Sequence, residues 1–185
     1  MAEQVHVTGS AASLIAAATS AKGAPPVHLW DPPYCGEIDI VIKRDGTWIH
    51  EGTPIGRPGL VRLFASILKR EGERHFLVTP VEKVGIKVED APFVAQDFEA
   101  AGGTITFSTN VGDTVAAGPD HPIRVVLAAD GEPSPYVEVR RGLEALIDRK
   151  TFYRLVDLGH EEDGQFGVTS GGVFFPIIDA AALRV

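Results

Sequence analysis

Arg57 and Arg149 occupy equivalent places in two copies of one pattern, and a guanidinium there calls for an anion. Ile55-x-Arg57-x-x-Leu60-Val61-Arg62-Leu63 aligns with Ile147-x-Arg149-x-x-Phe152-Tyr153-Arg154-Leu155 at a constant offset of 92 residues. Each arginine is expected at the opening of a helix, where the macrodipole is positive and a cation is disfavoured by ~0.3–1 kcal/mol. Asp148 and Glu144 are close in sequence to offset Arg149. Gly56 and Pro58 offer Arg57 no carboxylate, so its partner is expected from elsewhere in the fold or from a bound anion that helix N–H groups and guanidinium donors hold together. Arg140-Arg141, Lys150 and Arg154 add positive charge around Arg149 in a chain of net charge −8. This is either a field that draws anions or a set of surface ion pairs with Glu138, Glu144 and Asp148. Thr79-Pro80-Val81-Glu82-Lys83 brings a hydroxyl, a carboxylate and an ammonium together at a strand exit, a composition that a plain turn also uses.

Other chemistries are excluded by pattern. The chain has no Gly-x-x-x-x-Gly-Lys-Ser/Thr phosphate loop, no Gly-x-Gly-x-x-Gly and no Gly-x-Ser-x-Gly elbow. Its six histidines lack metal-ligand spacing, so no cofactor or metal is expected. His50-Glu51 sits near a strand end and reads as a solvent-facing edge. Glu161-Glu162-Asp163-Gly164 reads as a solvated acidic turn. Cys35, the single cysteine, rules out an internal disulfide and reads as a buried structural thiol. The acidic balance argues against a nucleic-acid footprint. The longest apolar stretch, Ala11 to Ala18, is too short for the ~20 residues of a membrane span. The start, Met1-Ala2-Glu3-Gln4, lacks the basic residues of a secretory signal, and a cytoplasmic location is expected.

The elements that position these residues follow from periodicity. Ser10 to Lys22 is Ala-rich and reads as a short helix or, in preference, as a packing arm and not a frayed terminus. After it, four prolines make an extended arm to Gly36 that buries Trp30. Ile38, Ile40 and Ile42 alternate as a strand, and Asp45-Gly46 turns it into Thr47 to His50. Pro58 opens a helix with Leu60, Leu63, Phe64, Ile67 and Leu68 on one face, ended by Gly72. Phe76 to Thr79 and Val84 to Val88 complete a ββαββ unit with a mostly antiparallel sheet. New strands follow near Phe93 to Phe98, Thr104 to Ser108 and Ile123 to Ala128. Then Tyr136 to Arg140, Leu143 to Ile147, a helix capped by Asp148, Gln165 to Thr169 and Val173 to Ile177 repeat the plan. Phe76-Leu77-Val78-Thr79 and Phe166-Gly167-Val168-Thr169 extend the match at an offset of 90 residues, which indicates a duplicated half-domain. The fold class is α+β: an arm over residues 1–36, a first ββαββ unit over 37–92, and a larger β-rich unit over 93–185 that contains the second copy.

Trp30-Asp31-Pro32-Pro33-Tyr34-Cys35-Gly36, Asp45-Gly46-x-Trp48, Thr79 to Lys83, Val88-Glu89-Asp90-Ala91-Pro92-Phe93 and Thr109-Asn110 together resemble the proteobacterial family grouped as domain of unknown function 1285. The resemblance runs from about Trp30 to Phe175. It implies a duplicated α+β fold with a superficially pleckstrin-homology-like C-terminal half. It also implies a ligand pocket between the halves for a nucleotide-like molecule, and a role in signalling. The expected function is accordingly a sensor or adaptor holding a small anionic ligand. Arg57, Glu82, Lys83, Asn110, Tyr136, Arg140 and Arg149 are its candidate ligand-binding residues. The alternatives are a hydrolase of a phosphorylated small molecule, with Glu82 as general base, and a protein-interaction module that uses sheet edges.

Overall fold

The computed structural model describes residues 11–20 and 23–184. They form two compact units, one ending at Glu89 and the other starting at Asp90. The result is a two-domain α+β fold with three α-helices and mixed sheets among the described residues.

The N-terminal unit contains α1 (Ala11–Ser20), β1 (Tyr34–Ile42), β2 (Trp48–His50), β3 (Thr53–Pro54), α2 (Pro58–Ser66), β4 (Leu68–Glu71), β5 (Arg74–Val78) and β6 (Lys83–Val88). Ser10 and Lys22, the ends of the Ala-rich stretch, lie outside the described residues. The strands make one sheet in the order β3-β2-β1-β6-β5-β4. All neighbours are antiparallel except β1 and β6, which run parallel. The sheet is thus mostly antiparallel, as expected from sequence, with one parallel pair inside it. The β1–β2 hairpin leaves one edge of β1 open, and a parallel partner can reach it only after a long crossover, which α2 and the β4–β5 hairpin supply. Residues 43–47 join β1 to β2, and Lys43 N donates to Thr47 O across them at 2.8 Å.

Two expectations for this unit are corrected. The arm is interrupted by a 3-10 turn at Val27–Leu29, and Val27 is buried where Trp30 is only partly so. The helix expected to reach Gly72 stops at Ser66, with Ile67 as its C-cap and Leu68 already in β4. Ile67 and Leu68 are still fully buried, so the apolar positions were read correctly but cross from helix to strand. Under α2, Phe64 stacks on Trp48 with ring centroids 6.3 Å apart and planes 11° from parallel. Ile40, Ile42, Leu77 and Val84 fill the same core, each contributing ~1.5–3 kcal/mol by burial. α1 packs on α2, with Leu14 and Ala18 buried one helical turn apart.

The C-terminal unit contains β7 (Phe93–Ala101), β8 (Thr104–Thr109), β9 (Thr114–Ala116), β10 (Ile123–Leu127), β11 (Pro133–Arg140), β12 (Leu143–Ile147), α3 (Arg149–Val156), β13 (His160–Glu162), β14 (Gln165–Ser170) and β15 (Val173–Asp179). One sheet has the order β10-β11-β12-β7-β8-β9 and the other β13-β14-β15. The Asp148 side chain caps α3 by accepting from Thr151 N at 2.8 Å. The acidic turn expected at Glu161 to Gly164 is instead part of a β-hairpin, with Glu162 facing Gln165.

The halves are similar in their order of elements: a hairpin, a helix and a three-stranded meander. Three strands follow each helix where the ββαββ plan has two. The meanders differ in partner, since β6 joins β1 whereas β13-β14-β15 is a separate sheet. The helices also present different faces. Phe152 and Leu155 are buried in α3, but their counterparts Leu60 and Leu63 in α2 are half-buried, and Phe64 and Ala65 take the core positions. Truncating Phe64 or Leu155 to alanine is therefore expected to cost about 2–5 kcal/mol, and Leu63→Ala about half as much or less. Urea-denaturation midpoints of the three variants check the order.

Candidate functional site

Strand alternation, with a register shift between Tyr34 and Glu37 in β1, puts Tyr34, Glu37, Lys69, Glu71, Arg74, Phe76, Lys83 and Gly85 on one face of the N-terminal sheet. The residues that alternate with them on β4 to β6, such as Leu68, Leu77 and Val84, are buried on the opposite side. Phe76 is the centre of the polar face. The Lys83 ammonium lies 4.8 Å from its ring centroid, the Arg74 guanidinium 4.9 Å, and the Tyr34 ring meets it edge-on at 6.2 Å. Both cations are held by the negative face of the ring.

Two carboxylates serve three cations there. Glu71 spans the lysines, with Oε2 2.9 Å from Lys83 Nζ and Oε1 3.4 Å from Lys69 Nζ. Lys69 Nζ also donates to the Trp30 carbonyl at 3.0 Å. The Lys83 and Lys69 side chains are only 15% and 21% exposed, so their charges are poorly served by water. Glu37 Oε1 accepts from Arg74 Nη2 and, at 2.6 Å, from the Tyr34 hydroxyl. Gly85 is required for this arrangement. A Cβ at position 85 would stand 2.2 Å from Glu37 Oε2, so any larger residue displaces the carboxylate from the sheet. The hydrogen bond from Lys83, with Lys69 adding to it, holds the Glu71 carboxyl below the usual carboxylate range against the opposing effect of burial.

The N-terminal domain model of a domain of unknown function, DUF1285, matches residues 25–91, and the C-terminal domain model of the same family matches residues 92–177. The chain belongs to the DUF1285 family. It is similar to a DUF1285 family protein from Silicibacter pomeroyi DSS-3, whose crystal structure was determined at 2.50 Å. Identity is 59% over 93% of this chain and 98% of that one, with a TM-score of 0.87. A DUF1285 family protein from Shewanella baltica OS155, solved at 1.40 Å, is 35% identical over 64% of this chain and 90% of that one, with a TM-score of 0.53. No curated protein matches the chain.

Within this DUF1285 protein the residues singled out from sequence separate by unit. Lys83 is in the cluster around Phe76. Glu82, next to it, accepts from Ser13 Oγ of α1 at 2.8 Å. Arg57 is the exposed N-cap of α2 and forms no ion pair with a described residue. In the C-terminal unit, Arg149 pairs with Glu132 at 2.7 Å, not with Asp148 or Glu144. Arg140 pairs with Asp113 at 2.6 Å and lies over the Phe93 ring. Tyr136 donates to Asp90 at 2.7 Å beneath the Arg124 guanidinium, and Asn110 Oδ1 accepts from Val94 N at 3.0 Å. Lys69, Glu71, Arg74, Tyr34 and Glu37 were missed as site residues, and among them Lys69 and Glu71 were assigned to a helix. Among the described residues, no group of three or more His, Cys, Asp and Glu could hold a metal, and no helix is long and apolar enough to cross a membrane.

On the other face, burial pushes the His75 imidazole down to about 4, helped by the Arg70 charge, and its Nε2 has no hydrogen-bond partner among the described residues. The unfolded chain, titrating near 6.5, binds this proton more readily than the folded one. Stability is therefore full above pH 6.5 and falls as pH drops from 6.5 towards 4, by about 1–2 kcal/mol once the ring's partial exposure is discounted. His75→Leu is expected to flatten that decline in denaturation midpoints measured between pH 7 and 4.5.

Proposed function

We propose that the protein is a sensor or adaptor that holds a small anionic ligand on the polar face of its N-terminal sheet. The observation that carries this reading is the imbalance of Lys69, Arg74 and Lys83 against Glu37 and Glu71, in a place where both ammonium groups are largely withdrawn from water. A bound anion balances that charge, and charge-assisted hydrogen bonds from preset donors give it both affinity and orientation. Tyr34, 48% exposed beside the cations, adds an aromatic surface that suits a nucleotide-like molecule. The hydrolase alternative gains no support, because Glu82, its general base, is engaged by Ser13. The shared order of hairpin, helix and meander supports descent of the two halves from one duplicated unit. The two sheets and single helix of the C-terminal unit support a pleckstrin-homology-like adaptor role for it.

Isothermal calorimetry with inorganic phosphate, pyrophosphate and a panel of nucleoside monophosphates tests the reading. The wild-type protein is expected to bind at least one of these anions, and Lys83→Gln to weaken that binding at least about tenfold. The variant should retain its fold by circular dichroism. Silence with every probe overturns the reading in favour of a partner protein.

A further inference from the structure

Glu71 has the geometry of a ligand already in place. Its two oxygens reach two ammonium groups, as an O–C–O or O–P–O group of an incoming anion would. The two lysines are fixed by other contacts: Lys69 by the Trp30 carbonyl, Lys83 by the face of Phe76. The carboxylate is differently placed. Its side chain is 36% exposed, more than either lysine, and it projects from the end of β4 beside the hairpin loop, where a rotamer change carries it into water. A fixed pair of donors and a movable acceptor make a seat with a removable occupant.

We infer that Glu71 is the resident counter-ion of the anion seat, and that the ligand is an oxyanion whose two oxygens bridge Lys69 and Lys83 and displace Glu71 into solvent. This rests on the anion-binding reading and adds its regulation. Glu71 keeps the two lysines satisfied in the free protein and rejects any anion that cannot replace both of its contacts. A phosphate or a carboxylate meets that requirement, whereas chloride, a single-centre ion, bridges the seat less well.

The experiment is calorimetric titration of wild-type, Glu71→Gln, Glu71→Ala and Lys69→Gln proteins with inorganic phosphate, with acetate, and with chloride as control. Removing the competing charge is expected to tighten phosphate binding at least about tenfold in both Glu71 variants, and loss of one donor to weaken it by a similar factor. Acetate binding of comparable strength assigns the seat to carboxylates, and a preference for phosphate assigns it to phosphate oxyanions. If wild-type protein binds phosphate and neither Glu71 variant binds it more tightly, the displacement idea fails while the binding reading stands. If neither the wild type nor a Glu71 variant binds any probe oxyanion, both fail.

Discussion

The parallel pairing of β1 with β6 is the constraint on which the N-terminal unit depends. It sets Tyr34 beside Lys83 and Glu37 beside Gly85, joining residues far apart in sequence into one row across the sheet. The row continues through Phe76 to Lys69 by antiparallel pairing of β6 with β5 and of β5 with β4. Without the parallel pair, Arg74 loses Glu37 and Tyr34, and half of the polar face disappears. The pairing is irregular, with register shifts between Tyr34 and Glu37 and between Glu37 and Val41. Glycine at position 85 lets Glu37 lie close against the sheet within that irregular stretch.

One interaction recurs through both units: an arginine laid over an aromatic ring and paired with a carboxylate. Arg74 does this with Phe76 and Glu37, Arg124 with Tyr136 and Glu144, Arg140 with Phe93 and Asp113, and Arg154 with Phe98 and Asp97. The planar guanidinium suits both partners, since it stacks on the ring while its N–H edge meets the carboxylate. In the C-terminal unit each of these arginines has its own carboxylate. The N-terminal cluster differs by adding two lysines that share a single one, which is why it, and not the arginine-rich stretch from Arg140 to Arg154, stands out as an anion seat.

Much of the fold was legible. Alternation located β1, turn residues and the repeated plan located β8, β12 and β14, and Asp148 was identified as the cap of α3 from its residue type alone. The family and the similar order of the halves were visible in motifs and offsets. The missed strand β4 has a clear physical cause. Leu68 continues the helical spacing of Leu60, Phe64 and Ile67, and Gly72 looks like a helix stop. In the structure Gly72, at φ +61, is instead the first residue of a two-residue hairpin loop, with Glu71 facing Arg74. A Gly-x pair flanked by alternating residues was the readable indication of that hairpin. Reading Lys69 and Glu71 as helical hid the site, because the positions that face Phe76 and Lys83 are fixed by strand pairing and not by local spacing. The sequence also drew attention to Arg57 and Arg149 through helix electrostatics. Arg149 finds its carboxylate across a loop at Glu132, a pairing that no spacing rule foretells.

The place where an anion lands on the wild-type protein is the most direct test of the anion seat. Backbone amide and lysine side-chain NMR resonances, followed during titration with inorganic phosphate, resolve this residue by residue. The largest shifts are expected on residues 34–37, 69–71, 74–76 and 83–85, with the Lys69 and Lys83 ammonium signals moving together. Shifts concentrated at the starts of α2 and α3, around Arg57 and Arg149, or scattered over the exposed surface would contradict the anion seat.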